Sequence, residues 1–425
     1  MRKKIFLKGP LLTRSGYGEQ SRFALRALRS REDLFDIYIQ PLQWGQTSWL
    51  NMANEEREWI DETIEKTIAY LQQRGQFDIS LQITIPNEWE RIAPVNIGFT
   101  AGIETTKVSH EWIQKGNQMD RILVVSSHSK MTFEDTAYVG TNDQTQEQFR
   151  LKLDTPIHVA NYPVKLYDEL PELSINLDYD FNFLTVAQLG PRKNLANTLR
   201  WFVEEFKNEE VGMIVKTNIS RNCYMDRIKV FHELRRFVEQ AGERKCKIYL
   251  LHGDLTDEEM HSLYSHDKVK ALVALPHGEG FGLPLYESAY SGLPVVATGW
   301  SGQLDFLVDE KGKQHFYNVA FDMQPIQDEV VWDQVLIKES MWAYPREQSA
   351  KEKMRACYDD VTSNKADSYA LNSCEYAQEI HDRFSSTKMY KSFVDGLLGF
   401  DSELLKEQPA WRFVCQPEQA VLEFE

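Results

Sequence analysis

A strand, a glycine-rich turn, a helix and a second strand follow one another in residues 270–298, and this unit limits the possible folds more than any other part of the chain. The apolar runs KALVALP (270–276) and PVVAT (294–298) predict the two strands. Pro284 suits the first turn of a helix, so the helix is predicted to span residues 283–292. Strands joined by a helix in this order predict a layered α/β fold with parallel sheets.

The turn HGEGFG (277–282) carries the chemistry of this unit. Backbone N–H groups at the N-terminus of a helix attract anions, and Gly280 and Gly282 allow the backbone to approach a ligand closely. Glu279 lies in the turn and Glu287 about one helical turn further on, and their carboxylates can accept hydrogen bonds from hydroxyl groups. Both acids are therefore predicted to face one pocket that suits a sugar joined to a phosphate.

Two α/β domains are predicted from the length of the chain and its alternating pattern. The 425 residues are too many for one ordinary core, and a stretch rich in proline and acids interrupts the periodicity at 162–177. Helical patterns return at 347–360 and 368–396, whereas residues 401–425 have no assignment. The predicted parts are an N-terminal Rossmann-like domain at 1–165, a second one at 178–340, and C-terminal helices with a tail at 341–425.

Individual elements of the first half can also be predicted. Residues 3–7 read as the first strand and residues 19–29 as the first helix. Apolar residues at helical spacing predict a further helix at 61–73, and the polar run at 140–148 predicts a surface loop.

Composition excludes several classes of protein. With 42% hydrophobic and 26% charged residues, the chain reads as a soluble globular protein, and no apolar run approaches the roughly 20 residues that span a bilayer. The net charge of −16 disfavours non-specific binding to nucleic acid. The apolar run at the start stops at Gly9, which predicts a strand rather than a signal peptide. Five scattered cysteines without a C-x-x-C pair predict a reduced, cytoplasmic protein without structural zinc.

Positive charge for a phosphate ligand is concentrated after two predicted strands. Arg192 and Lys193 lie in GPRKN (190–194), between a strand and a helix, and Lys216 ends the next strand. Open α/β sheets bind ligands at the carboxyl ends of their strands, so we expect these cations at the ligand site. The D-x-D sequence at 178–180 is far from the glycine turn and is interpreted as structural, so no metal is predicted.

The segment HGEGFGLPLYE, followed by GLPVVAT, resembles the E-x7-E signature of the retaining glycosyltransferases of family 4, which adopt the GT-B fold. The resemblance implies a cleft between the two domains and C-terminal helices that pack back on the N-terminal domain. The resemblance implies that Glu287 contacts the ribose of a nucleotide-sugar donor and that Lys193 contacts its phosphate. It also implies an arginine at position 188, where this chain has Gln188; Arg192 and Lys216 are expected to compensate. The residues implied to contact the donor sugar are Glu279 and the backbone of Gly280, Phe281, Gly282 and Leu283.

The same family implies roles for the N-terminal half. Its loop after the first strand faces the donor phosphate and the acceptor, which here points to Gly16, Tyr17 and Gly18; an ordinary tight turn is the alternative. Many members place a histidine or an acid at the reaction centre, and Glu104 is the first candidate and His110 the second.

Two further sets of polar residues belong to this half. Ser127 or Ser129 is predicted to cap a helix that brings Lys130 near the cleft between the two predicted domains. Arginines at one helix face form either a solvated surface or a contact for an anionic acceptor; they are Arg22, Arg26 and Arg29.

The resulting hypothesis is a metal-independent, retaining transfer of a sugar from a nucleoside-diphosphate sugar, which is a co-substrate rather than a resident cofactor, to an acceptor hydroxyl. Lys193, Lys216 and Arg192 stabilise the departing diphosphate, and the turn at 251–256 lies beneath the base. The N-terminal segment RSGYGEQ (14–20) also resembles glycosyltransferases of tailed phages, some of which modify hydroxylated pyrimidines in DNA. The alternatives are a nucleotide-sugar epimerase on the same fold and a non-catalytic module that binds nucleic acid.

Overall fold

A computed structural model describes residues 2–141, 146–363, 365 and 368–399, and two backbone segments of the tail. The first domain contains, in chain order, β1 (Lys3–Gly9), α1 (Gly16–Arg29), β2 (Phe35–Pro41), α2 (Glu55–Gln72), β3 (Ile79–Ile83), β4 (Val95–Thr100), α3 (His110–Gly116), β5 (Arg121–Val124), α4 (Ser127–Asp135), β6 (Ala137–Thr141), β7 (Gln148–Lys152) and β8 (Ile157–Val159).

The second domain and the C-terminal segment complete the described chain. The second domain contains β9 (Asn182–Gln188), α5 (Leu195–Phe206), β10 (Gly212–Asn218), α6 (Tyr224–Ala241), β11 (Lys247–Leu251), α7 (Asp257–Tyr264), β12 (Val269–Ala274), α8 (Leu283–Tyr290), β13 (Val295–Thr298), α9 (Leu304–Leu307), β14 (Tyr317–Val319), β15 (Phe321–Pro325) and β16 (Met341–Pro345). The segment that follows contains α10 (Glu347–Thr362), α11 (Tyr369–Arg383), α12 (Ser386–Leu398), β17 (Trp411–Gln416) and β18 (Gln419–Phe424).

Each domain is built on a six-stranded sheet, with the strand orders β2-β1-β3-β4-β5-β8 and β11-β10-β9-β12-β13-β14. All the pairs within these two sheets are parallel. Parallel strands need crossover connections, and the helices between them cover the sheets, which explains why the strands are largely apolar. This arrangement confirms the predicted pair of Rossmann-like α/β domains.

One hydrophobic core joins the domains, because residues of both sheets and of the C-terminal helices belong to the same buried cluster. Phe393 of α12 lies 5.4 Å from the rings of both Phe23 and Phe99 in the first domain. Tyr376 of α11 donates a hydrogen bond to the carbonyl of Phe306 in the second domain. The C-terminal helices thus return to the first domain, as expected, and stay in contact with both halves.

Several helix boundaries differ from the prediction because capping residues decide them. The first helix begins at Gly16 rather than at residue 19, since the Ser15 side chain accepts a hydrogen bond from the Gly18 amide at 2.9 Å. The second helix begins at Glu55 rather than at residue 61, because Asn54 caps it.

The C-terminal and loop predictions have mixed outcomes. The helical stretch at 368–396 is two helices, interrupted after Arg383. Residues 142–145 of the predicted surface loop lie outside the described residues, and β6 and β7 on either side of them form an antiparallel hairpin. Residues 411–416 and 419–424 of the unassigned tail pair as antiparallel strands, whereas 401–410 lie outside the described residues.

Candidate active site

The glycine turn of the second domain lies directly against the backbone of the first domain. A Cβ atom placed on Gly278 would lie 2.2 Å from the carbonyl oxygen of Glu104, and one on Gly280 would lie 2.5 Å from that of Ala101. The Ser126 hydroxyl donates a hydrogen bond of 2.6 Å to the Gly280 carbonyl. Only glycine permits this approach, so the turn joins the carboxyl ends of the two sheets.

Glu279 is the centre of a buried charge cluster between the domains. Its side chain accepts a hydrogen bond of 2.5 Å from the Lys193 ammonium and one of 3.0 Å from the Arg192 guanidinium. Its amide donates to the hydroxyl of Ser301 at 2.9 Å. Burial alone would raise the pKa of Glu279, but Lys193 and Arg192 outweigh it and lower the pKa, so the carboxylate is charged.

Arg192 extends this cluster to the first domain. Its guanidinium lies 3.3 Å from the carboxylate of Glu104 and also donates a hydrogen bond of 2.7 Å to the Gly278 carbonyl. The structure therefore brings together four of the residues that the sequence singled out: Glu104, Arg192, Lys193 and Glu279.

The local backbone explains how both cations reach Glu279. A single 3₁₀ turn, Pro191–Lys193, connects β9 to α5, and it ends at Asn194, which has a left-handed conformation with φ 53°. The Asn194 side chain donates to the Leu275 carbonyl at 3.1 Å, and the His277 amide donates to the Arg192 carbonyl at 2.8 Å. These two bonds hold the cationic turn beside the glycine turn.

Glu287 lies in a different place from Glu279. It accepts a hydrogen bond of 2.9 Å from the Tyr264 hydroxyl, because its position on α8 points it towards α7. Burial raises the pKa of Glu287 to about 7, although Lys165 and Tyr264 act in the opposite direction. Glu279 lines another cavity, together with Lys193. The cavity beside Glu287 is lined by Tyr167, Asp257, Met260, His261, Tyr264 and Tyr290.

Lys216 contacts residues outside the Glu279 cluster. Its ammonium donates a hydrogen bond of 2.5 Å to the carbonyl of Gly253, in the turn after β11. Burial lowers the pKa of Lys216, and Arg14 of the first domain lowers it further while Asp254 raises it. Arg14 itself donates to the Leu255 carbonyl at 2.8 Å, so this turn is a second place where the domains meet.

Position 188 holds a neutral glutamine where the resemblance implies an arginine. The Gln188 side chain donates a hydrogen bond of 2.6 Å to the Ile219 carbonyl, at the end of β10. The cations of the described site are thus supplied by the 3₁₀ turn and by Lys216.

Tyr17, in the first turn of α1, contacts the segment of the first domain that packs against Gly280. Its hydroxyl lies 2.8 Å from that of Thr100 and accepts a hydrogen bond of 3.3 Å from the Ala101 amide. Its ring lies 4.2 Å from that of Trp44, an aromatic neighbour that the sequence did not indicate. Gly16 and Gly18 belong to the first turn of α1 and not to a loop.

Three further residues of the glycine turn were predicted to contact a donor through their backbone: Phe281, Gly282 and Leu283. Gly282 has φ 95° and caps α8, a conformation that favours glycine. The Phe281 side chain is only 3% exposed and packs 5.1 Å from the ring of Tyr162 and 5.0 Å from that of Phe306. Leu283 begins α8, so its amide is one of the unpaired N–H groups at the helix start.

Several predicted residues have structural surroundings instead. Ser126, and not Ser127 or Ser129, caps α4, where its hydroxyl accepts a hydrogen bond from the amide of residue 129. Lys130 pairs with Glu134 on the same helix at 3.7 Å, and the exposed His110 lies against Tyr138.

The arginine face of α1 and the D-x-D sequence are also engaged in pairs. Arg22 donates to Glu19 and to two backbone carbonyls, and Arg26 makes two hydrogen bonds to Glu56. Arg29 lies over the ring of Trp59. The two carboxylates of the D-x-D sequence pair with Lys247 and Lys268 at the surface.

Asp305 is an interdomain residue that sequence patterns did not reveal. Its carboxylate accepts hydrogen bonds from the Ser127 amide at 2.8 Å and from the Asn161 side chain at 2.9 Å. Aspartate at the N-terminus of a helix belonging to another domain leaves no local sequence signal, because the helix and its cap are far apart in the chain.

In the described part of the chain, one group of side chains has the composition of a metal site: Asp309, His315 and Glu379. The Asp309 carboxylate already accepts hydrogen bonds from two amides and from His315, which accounts for this arrangement. No helix in the described part of the chain is long and apolar enough to cross a bilayer.

Residues 176–320 match the family model for glycosyl transferases group 1. A curated relative, the serotype-specific mannosyltransferase WbdA of Escherichia coli, is 30% identical over 118 residues. That segment covers 27% of this chain and 13% of the relative, so the chain spans only a small part of the relative's length.

Two solved structures match nearly the whole chain. HepE of Anabaena in complex with UDP and glucose has a TM-score of 0.57 and 13% identity, and covers 93% of this chain and 99% of its own. Sucrose-phosphate synthase of Thermosynechococcus elongatus has a TM-score of 0.58 and 11% identity, and covers 93% and 98%. The chain thus adopts the GT-B fold of glycosyltransferases, and residues 176–320 of its second domain match the model for glycosyl transferases group 1.

Proposed function

We propose that this protein is a glycosyltransferase that moves a sugar from a nucleoside-diphosphate sugar to an acceptor hydroxyl. The observation that carries the proposal is the buried Glu279 carboxylate, held by Lys193 and Arg192 on a glycine turn at the domain boundary. The two cations and the amides at the start of α8 can bind the phosphate of a sugar phosphate. The Glu279 carboxylate can bind the hydroxyl groups of the sugar.

The transfer that this geometry supports needs no metal. The bond between the anomeric carbon and the diphosphate oxygen breaks, and its electron pair leaves with the diphosphate, whose growing charge Lys193 and Arg192 stabilise. Glu279 orients the sugar through its hydroxyl groups. The acceptor oxygen bonds to the anomeric carbon on the face that the diphosphate leaves, so configuration is retained, and the acceptor proton passes to the departing phosphate.

The nucleoside end of the donor is assigned to the second set of predicted residues. Glu287 accepts the ribose hydroxyl groups, and the turn at 251–256 lies beneath the base. Lys216, whose ammonium is anchored on that turn, approaches the diphosphate from the nucleoside side. Glu104 is assigned to the acceptor side, because it belongs to the first domain and reaches the cluster through Arg192.

A panel of nucleoside-diphosphate sugars, screened by thermal unfolding, tests the donor assignment, since a ligand that binds the folded state raises its melting temperature. Turnover is then measured with the matching donor on hydroxymethylated DNA, on unmodified DNA and on oligosaccharides. Transfer to hydroxymethylated DNA would support the acceptor suggested by the phage resemblance. Donor consumption without any acceptor would favour the epimerase instead.

Lys216→Ala tests the role of the cations in the reaction. Loss of one positive charge beside the leaving group is expected to lower kcat by about 100-fold, in line with the removal of one preorganised donor. Lys338→Ala is the control, because this lysine is 71% exposed and pairs with Asp328 at the surface. Equal turnover of both variants would contradict the assignment.

A further inference from the structure

A loop of the second domain crosses to the first domain on the side of Glu104. Residues 326–340, here called the arm, connect β15 to β16. The Ile326 amide donates a hydrogen bond of 3.3 Å to the Ser340 carbonyl, and Trp332 and Leu336 form an antiparallel bridge near the tip. The arm is thus a hydrogen-bonded extension of the hairpin that β15 and β16 form.

The tip of the arm packs into the first domain. Val335 is 5% exposed and belongs to a hydrophobic cluster whose other buried members, among them Trp89 and Trp112, lie in the first domain. The Ser109 hydroxyl donates a hydrogen bond of 2.7 Å to the carbonyl of Gln334. Gln334 has φ 63°, a conformation that is uncommon for residues other than glycine, so these contacts hold the tip in a strained turn.

The base of the arm bonds to both sides of the domain boundary. Met341, the first residue of β16, accepts a hydrogen bond of 2.9 Å from the Thr106 amide, and its own amide donates to the Thr106 hydroxyl at 3.0 Å. The Ala343 amide donates to the His277 carbonyl at 2.9 Å, and the His277 ring donates to the Ala343 carbonyl at 2.7 Å. Because His277 opens the glycine turn, β16 lies between that turn and the first domain.

The loop that carries Glu104 is therefore held at both ends by the second domain. Residues 101–109 connect β4 to α3, and the glycine turn packs against the carbonyls of Ala101 and Glu104. Further along the loop, β16 bonds to Thr106 and the arm bonds to Ser109. A loop lacks the hydrogen-bond ladder of a helix or strand, so contacts with its neighbours decide where its side chains lie.

We infer that the arm is a positioning element for the acceptor, which holds the loop of Glu104 beside the cleft with Val335 as its anchor. The inference rests on the proposed function, in which the second domain binds the donor and Glu104 belongs to the acceptor side. Transfer to an acceptor therefore depends on the arm, whereas binding of the donor and its hydrolysis do not. In hydrolysis a water oxygen bonds to the anomeric carbon, the bond to the diphosphate oxygen breaks, and a water proton passes to the departing diphosphate.

Two variants remove the anchor. Val335→Asn places an amide in the apolar cluster, and the second variant replaces residues 327–339 by the dipeptide Asn-Gly, which suits a two-residue hairpin turn. Val331→Asn is the matched control, because Val331 is on the same arm but is 38% exposed. Gln334→Gly is the conservative variant, since it keeps the carbonyl that bonds to Ser109 and glycine adopts a positive φ without strain.

Three measurements separate the acceptor side from the donor side. Transfer is measured with the nucleoside-diphosphate sugar and the acceptor that the wild type uses, and hydrolysis is measured with the same donor and no acceptor. Calorimetric titration with UDP, GDP and ADP reports on the donor site of the second domain. Hydrogen exchange of residues 101–109, followed by mass spectrometry, reports whether the loop is held.

For both anchor variants we expect the rate of transfer to fall by at least about tenfold, because Glu104 is displaced. Hydrolysis and the Kd of the best-bound diphosphate are expected to change by less than about twofold, and exchange at residues 101–109 becomes faster. Val331→Asn and Gln334→Gly keep the wild-type values of all three.

Other results would overturn the inference or the proposed function separately. If the anchor variants transfer as fast as the wild type, or if transfer, hydrolysis and diphosphate binding fall by the same factor, the arm is merely structural and the proposed function stands. Should Val335→Asn fail to fold, the variant with the shortened arm decides. If the wild type consumes none of the donors, the proposed function fails, and hydrogen exchange of residues 101–109 still decides whether the arm holds the loop.

Discussion

Glu279→Gln removes the charge that Lys193 and Arg192 share while it preserves the size of the side chain. Lys193 then keeps an ammonium in the domain boundary without the carboxylate that lies 2.5 Å away in the wild type. Arg192 is better protected, because Glu104 lies 3.3 Å from it and the Gly278 carbonyl accepts one of its hydrogen bonds. The cost of the substitution is therefore dominated by Lys193.

The magnitude follows from the burial of the pair. Breaking a buried ion pair by removing one partner costs about 3–5 kcal/mol, because the other charge is left unpaired. Glu279 is only 8% exposed, and since one of its two cations keeps a partner, we expect the lower end, about 3 kcal/mol. In a Lys193→Met background there is no ammonium that Glu279→Gln could leave unpaired. Glu279→Gln is then expected to cost about 1 kcal/mol. The coupling between the two residues is then about 2 kcal/mol.

Urea unfolding of the wild type, both single variants and the double variant measures this coupling. Asp328→Asn combined with Lys338→Met is the matched control, because that pair has a similar distance of 3.0 Å but side chains 81% and 71% exposed. Its coupling is expected to stay below about 1 kcal/mol. If the effects of Glu279→Gln and Lys193→Met add to within about 0.5 kcal/mol, the two residues do not form the buried pair on which the site is built.

Two further predictions concern the turn and the helix. Gly280→Ala places a Cβ atom 2.5 Å from the Ala101 carbonyl, so the domains must separate there. Turnover in a steady-state assay is expected to fall by at least about tenfold. Unchanged turnover would mean that this contact is dispensable. Glu287 has a pKa raised to about 7 by burial, so its contribution to stability is present at low pH and is lost as pH rises through that value. Relative to the wild type, Glu287→Gln should therefore gain on the order of 3 kcal/mol in the free energy of unfolding between about pH 4.5 and pH 7. If the free energies of unfolding of the variant and the wild type differ by the same amount at every pH, the burial of this carboxyl group is contradicted.

Much of the fold and the centre of the site could be predicted because their signals are local. The alternation of strands and helices predicted both sheets, and Pro284 predicted the start of α8, since proline restricts its own backbone. Arg192 and Lys193 follow a strand directly, so their place at a carboxyl end follows from the strand itself.

Side-chain directions were harder to predict, because they depend on which element packs opposite. Glu287 is one helical turn from the start of α8, and its carboxylate accepts a hydrogen bond from Tyr264 of α7, a partner that the sequence did not indicate. Lys216 ends the expected strand but bonds to the turn after β11. Ser126 rather than Ser127 caps α4, because neighbouring serines are equivalent as a pattern and only the backbone conformation distinguishes them.

The amino-acid order alone determined the two α/β domains, the glycine turn and the cations beside it, because these follow from backbone preferences and hydrophobic periodicity over short stretches. Tertiary structure decided the bridge from Glu104 through Arg192 to Glu279 and the contacts of the arm with the first domain. Residues so distant in the chain meet only after both sheets have folded and packed on their common core, so no local pattern specifies their pairing.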